Sequence, residues 1–112
     1  AHAIEAHSFS ANIQTRSLEA QVVQDADRLD SIGAIGLARC FATAAVMKRP
    51  FYSEDDSFCQ QRSADDSQYT IDHFYKMLLL IEEKLNTNAA KKIGQRRTEY
   101  LKNYLNELKE EI

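Results

Sequence analysis

The run Val22-Val23-Gln24-Asp25-Ala26-Asp27-Arg28-Leu29-Asp30 places three carboxylates on a short helical stretch. Two of the three fall among residues whose apolar spacing predicts burial. A carboxylate in a core position is costly unless a cation or hydrogen-bond donors meet it. A divalent metal ion is the first candidate partner. Catalytic metal sites commonly use about three protein ligands and keep one position open, so one carboxylate is not enough. The chain has three histidines, His2, His7 and His73. His73 falls beside Ile71 and Phe74, on a face expected to pack inward. A lone histidine there is more often a hydrogen-bonded core residue than a ligand. His2 and His7 straddle an expected helix end and need not share a face.

These residues must be positioned by helices. At about 100° per residue, Leu18, Val22, Ala26 and Leu29 form one stripe. Asp27 and Asp30 lie together on its partly apolar flank, and Asp25 lies on the opposite rim near Leu18. Periodicity does not choose between Asp27 and Asp30. Thr15 is the expected N-cap, with Glu19 in the first turn where the helix dipole favours an anion. Residues 1–6 read as the tail of a helix and 7–14 as a connector. Residues 32–47 are apolar nearly all round, which predicts a central buried helix. Residues 48–69 form a long polar loop; its pairs Asp55-Asp56 and Asp65-Asp66 lack the alternation of a calcium loop and read as solvated. Thr70 is the expected cap of an amphipathic helix carrying Ile71, Phe74, Leu78, Ile81 and Leu85. Thr87 caps a last helix from Asn88, with Ile93, Leu101, Leu105, Leu108 and Ile112 on one side. These two should form an antiparallel hairpin. No strand alternation occurs, so the fold class is all-α, a helical bundle.

With 112 residues, 44% hydrophobic, one proline and three glycines, the composition is that of one globular helical unit. The formal charge of −3 excludes a strong basic field for nucleic acid or an anionic membrane. Lys91, Lys92, Arg96 and Arg97 are followed by Glu99, Glu107, Glu110 and Glu111, the pattern of a solvated face. Cys40 and Cys59 predict two free thiols in a reducing cytoplasm, and neither has a second Cys or His at zinc-ligand spacing. No secretory signal is visible and no apolar run reaches membrane-spanning length.

Three stretches together carry a family likeness. They are His2-Ala3-Ile4-Glu5-Ala6-His7-Ser8-Phe9, then Gln24-Asp25-Ala26-Asp27-Arg28-Leu29-Asp30 followed by Gly33-Ala34-Ile35-Gly36, and Tyr69-Thr70-Ile71-Asp72-His73-Phe74. Over essentially the whole chain the sequence resembles the HD-domain superfamily of metal-dependent phosphohydrolases, above all its small bacterial stand-alone members. The resemblance implies an HD-type helical bundle. It implies one divalent metal held by a histidine, an adjacent His-Asp pair and a later aspartate, which corresponds to Asp27. Asp25 and Asp30 would then stand behind the ligands or serve the structure. His2 and His7 resemble extra histidines near the catalytic centre, and Arg28, Lys76 and His73 are candidates for contacting substrate.

The chain departs from the family pattern in containing no His-Asp dipeptide. The expectation is therefore that residues 1–112 are the C-terminal portion of a single HD-type domain, with the helices bearing the first histidine and the His-Asp pair upstream. The expected function is metal-dependent hydrolysis of a phosphate ester or nucleotide. Manganese, magnesium or a similar ion would be held only when the upstream ligands are present, and the piece alone would be inactive. The alternative is a non-catalytic helical interaction or dimerisation module without metal, since the leucine stripe of the hairpin could support a homodimer.

Overall fold

The computed structural model describes residues 17–112. Four α-helices and one 3-10 helix follow in order: α1 (Leu18–Leu29), α2 (Gly33–Val46), α3 (Asp72–Lys76), the 3-10 helix (Leu78–Lys84) and α4 (Asn88–Glu111). No strand occurs among the described residues, and the all-α class stands. The expected features of residues 1–16, His2 and His7 among them, lie outside the described residues, but the cap of α1 is Ser17 and not Thr15, because the helix begins at Leu18. Ser17 caps α1, its hydroxyl accepting from the Ala20 N–H.

The core gathers Ile32, Ile71, Phe74, Leu78, Ile81, Leu101 and Leu105. Tyr104 of α4 stacks on Phe74 at 5.8 Å and meets Phe41 of α2 edge-on at 5.9 Å. These contacts fix α2 and α3 onto the long C-terminal helix. The anticipated apolar face Ile71, Phe74, Leu78, Ile81 and Leu85 is buried throughout. Its backbone is not one α-helix: after Lys76 the chain breaks at Met77 (φ −134°, ψ −56°) and continues as the 3-10 helix. Spacings of three and four suit either helix type, so the stripe is right while the helix type is not. Thr70 is not a cap. Its hydroxyl donates to the Pro50 carbonyl, tying down the end of the loop. Thr87 does cap α4, accepting from the Ala90 N–H. The buried line of α4 runs Ala90, Gly94, Thr98, Leu101 and Leu105, whereas Ile93 and Ile112 are exposed.

Two helices bury less than their sequences promise. On α2 only Gly33, Gly36 and Ala44 are buried; Ala34, Ile35, Ala38, Ala42, Ala45 and Val46 face away from every described element. On α1 the apolar residues Leu18 and Val22 are exposed, Ala26 with them, and the buried residues are Gln24 and Asp25. Of the stripe expected to face the core, only Leu29 packs against it; the other three residues point outward among the described residues.

The sharp entry into α2 depends on glycine. Gly33 has φ +88°, a left-handed conformation that residues with a Cβ rarely adopt. At Gly36 an added Cβ would run into the backbone carbonyl of Ser31, which cannot swing aside as a side chain could. Gly36→Ala is expected to destabilise the protein by about 1–3 kcal/mol. Thermal denaturation followed by circular dichroism checks this, and an unchanged midpoint would mean that the α1–α2 turn has room to give.

The polar loop, residues 47–71, is organised from within. Asp56 accepts from the backbone N–H groups of Gln60, Gln61 and Arg62 at 2.9, 2.8 and 3.2 Å. Arg62 grips the buried carboxylate of Asp72 with both terminal nitrogens, and the Asp65 N–H adds a third bond at 2.8 Å. The acidic pairs expected to be merely solvated thus include residues that hold the loop's shape.

Candidate active site

The three carboxylates of α1 part company in the structure. Asp25 is the buried one, at 3% exposure. It accepts four hydrogen bonds across the fold: from the N–H of Asn86 (2.7 Å) and its side-chain amide (3.1 Å), and from the N–H (2.9 Å) and hydroxyl (2.8 Å) of Thr87. Burial opposes ionisation of Asp25 more than any other single effect, but the bonds from Asn86 and Thr87 together outweigh it. They hold its carboxyl below the ordinary carboxylate range. This corrects the expectation from periodicity: the acid kept inside the fold is Asp25, and hydrogen-bond donors at the start of α4 meet its cost without a metal. Asp27 and Asp30, expected on the partly apolar flank, are both exposed. Asp30 pairs with Arg39 at 2.7 Å at the surface. Asp27 makes no hydrogen bond or ion pair among the described residues.

The other candidates divide similarly. Arg28 donates from its guanidinium to the Lys84 carbonyl, which secures α1 to the 3-10 helix. His73 is half-buried, and its Nδ1 lies 2.8 Å from the Asp66 carboxylate. Lys76 is exposed and approaches the same carboxylate at 3.9 Å. Among the described residues no group of three or more His, Cys, Asp or Glu side chains converges as a metal site. These residues alone therefore do not fit a bound metal; Asp27 supplies one free carboxylate and nothing beside it completes a set.

A cavity of about 310 Å³ opens between α2 and α3. Arg39, Arg49, Asp66 and His73 stand on its walls, and Cys40, Ala44 and Leu78 form an apolar floor. Ser31 lines it too, four residues beyond Asp27. Sequence reading missed Arg39 and Arg49, because one sits in an apolar helix and the other just past its end. Burial pushes the Cys40 thiol up to about 11 although Arg49 pulls the other way, which disfavours the nucleophilic thiolate. Cys59 is likewise pushed up to about 11, by burial and then by its bond to Asp72. Both cysteines are free thiols, as anticipated. Among the described residues no single helix is long and apolar enough to cross a membrane.

No family model matches the sequence. Over 96 residues the chain is 32% identical to the protein YpgQ of Bacillus subtilis (strain 168), covering 86% of this chain and 41% of that protein. The crystal structure of YpgQ in complex with ADP superposes with a TM-score of 0.71 at 35% identity, covering 86% of this chain and 45% of that one. The crystal structure of an HD-superfamily hydrolase from Bacillus thuringiensis gives a TM-score of 0.72 at 36% identity, covering 85% of this chain and 46% of that one. The chain is similar to an HD-superfamily hydrolase. It spans less than half the length of these relatives and corresponds to their C-terminal portion. The all-α fold of this segment is consistent with the HD-type helical bundle that the three stretches implied.

Proposed function

We propose that this chain is part of an HD-superfamily, metal-dependent phosphohydrolase acting on a phosphate ester or nucleotide. The observation that carries the reading is the likeness to an HD-superfamily hydrolase at 36% identity over 85% of the chain. The ADP held by YpgQ favours a nucleotide as the substrate class. Asp27 is the residue of this chain assigned to the metal, alongside histidine and aspartate ligands from outside the described residues. Its exposure and lack of a partner suit a carboxylate that is completed by groups not described here. A divalent ion held there would polarise a phosphoryl oxygen and lower the pKa of a bound water. His2 and His7 are assigned near the reacting phosphate on the family likeness alone.

The chain's own described residues have the remaining tasks. Asp25 fixes the helix that carries Asp27, through its bonds to Asn86 and Thr87. Arg28 secures the same helix from a second direction. His73 is held by Asp66 at the cavity wall, and Lys76 beside it offers an exposed cation for substrate.

The test is metal removal. With a complete HD-domain protein containing this segment, EDTA is expected to abolish release of phosphate or pyrophosphate from nucleotides, and added manganese to restore it. Manganese should also raise the thermal midpoint, because a ligand that binds only the native state stabilises it. The 112 residues alone should show little or no shift. Nucleotide hydrolysis that persists unchanged in EDTA would remove the metal from the reaction.

A further inference from the structure

Arg49 stands out among the cavity's charged groups because nothing answers it. Its side chain is partly buried, yet among the described residues its guanidinium makes no hydrogen bond and no ion pair; only its backbone N–H is engaged, by the Ala44 carbonyl. The neighbouring charges are already committed. Arg39 pairs with Asp30, and Asp66 is taken up by His73 and approached by Lys76. A partly desolvated guanidinium in a concave site is a ready partner for phosphate oxygens, which it can bind with two parallel N–H bonds.

The rest of the cavity suits an organic group. The 2.8 Å contact of His73 Nδ1 with the Asp66 carboxylate fixes the ring at the cavity wall and leaves Nε2 available to a ligand hydroxyl. No described residue donates to that nitrogen. Cys40, Ala44 and Leu78 give the floor an apolar surface. About 310 Å³ is far more than a bare phosphate fills and lies at the lower end of small-molecule sites.

We infer that this cavity is a binding subsite for a small hydroxyl-bearing organic phosphate, its phosphoryl end on Arg49 and a hydroxyl of its organic part on His73. The inference deepens the hydrolase reading and rests on it for turnover, though not for binding. It gives that reaction a place in this segment where a nucleotide is held by side chains of α2, the loop and α3.

The experiment is calorimetric titration of the complete protein with ADP in EDTA, with inorganic phosphate and adenosine as separate ligands. Arg49→Gln is expected to weaken ADP binding at least tenfold and to leave adenosine unchanged, while Arg49→Lys keeps part of the affinity. Thr43→Phe, at an exposed position on the cavity wall, should weaken ADP and adenosine alike by filling the space. Wild-type affinity in Arg49→Gln overturns the inference, as does failure of the wild-type protein to bind ADP at millimolar concentration. If Arg49→Gln does not fold, the loss in Thr43→Phe decides the matter, and unaltered binding there overturns it. Because EDTA removes turnover, this result is read apart from the hydrolase reading, which fails separately if hydrolysis survives without metal.

Discussion

Asp25→Ala is expected to lower the thermal midpoint by about 10 °C or more. The substitution strips the acceptors from two backbone N–H groups, those of Asn86 and Thr87, in a part-buried site. Each polar group left unpaired away from water costs about 1–3 kcal/mol. A loss of about 3 kcal/mol at roughly 4 °C per kcal/mol for a domain of this size gives the stated shift. The damage extends beyond the pair, because Thr87 is also the N-cap of α4 and its hydroxyl touches both Asp25 and the Ala90 N–H. The same group makes stability depend on pH with a definite sign. Its folded-state pKa lies below the unfolded value of about 3.9. Its contribution is therefore complete above about pH 4 and is lost as the pH falls through the lower folded value. Asp72 is depressed as well: burial opposes its ionisation most strongly, and the bonds from Arg62 and Asp65 overcome it. Asp25→Asn should thus flatten the acid limb of the stability curve without abolishing it. Urea denaturation between pH 3 and 7 measures both effects. A midpoint within 2 °C of wild type in Asp25→Ala would show that solvent replaces the carboxylate freely.

Why was this residue misplaced by its spacing? A helical wheel counts only what lies on its own helix. Asp25 is held by residues 61 and 62 positions away, and nothing near it in sequence announces them. The rule that a core carboxylate needs a partner was sound; the partner is the start of another helix and not an ion. Other parts were legible because their causes are local. The Thr87 cap and the long helix after it follow from a side chain and the turn it precedes. The buried stripe from Ile71 to Leu85 follows from spacing alone. The 3-10 stretch did not follow, since the same stripe serves both helix types. The apolar faces of α1 and α2 mark the opposite failure. Leu18, Val22, Ile35 and Val46 carry the composition of buried positions and are 69, 52, 66 and 80% exposed among the described residues. Composition says that such residues favour burial, and it does not say which element covers them. Of the candidate site, Asp27 and His73 were both named through the family likeness, the helix position of His73 alone pointing to a core residue, while Arg49 becomes visible only when the loop folds back beside α3.

Asp27→Ala is the counterpart of Asp25→Ala, two residues away with the opposite expected outcome. Asp27 is exposed and without a bond among the described residues, so its removal should leave the stability of the segment within about 0.5 kcal/mol. In the complete HD-domain protein the same change should reduce hydrolysis by well over a hundredfold. Losing a group that merely supports a metal ligand typically costs about 10–100-fold, and Asp27 is assigned as a ligand itself. Asp30→Ala supplies the control that periodicity could not. It breaks an ion pair whose two side chains are 54 and 62% exposed, a kind worth about 0–1 kcal/mol, and it should keep most of the activity. The metal titration distinguishes the two acids directly: manganese should cease to raise the melting midpoint in Asp27→Ala and continue to raise it in Asp30→Ala. If the first variant folds and the second still turns over as expected, a lost rate in Asp27→Ala is lost chemistry and not lost structure. Wild-type turnover in Asp27→Ala would transfer the metal to other residues and leave this carboxylate an ordinary surface charge.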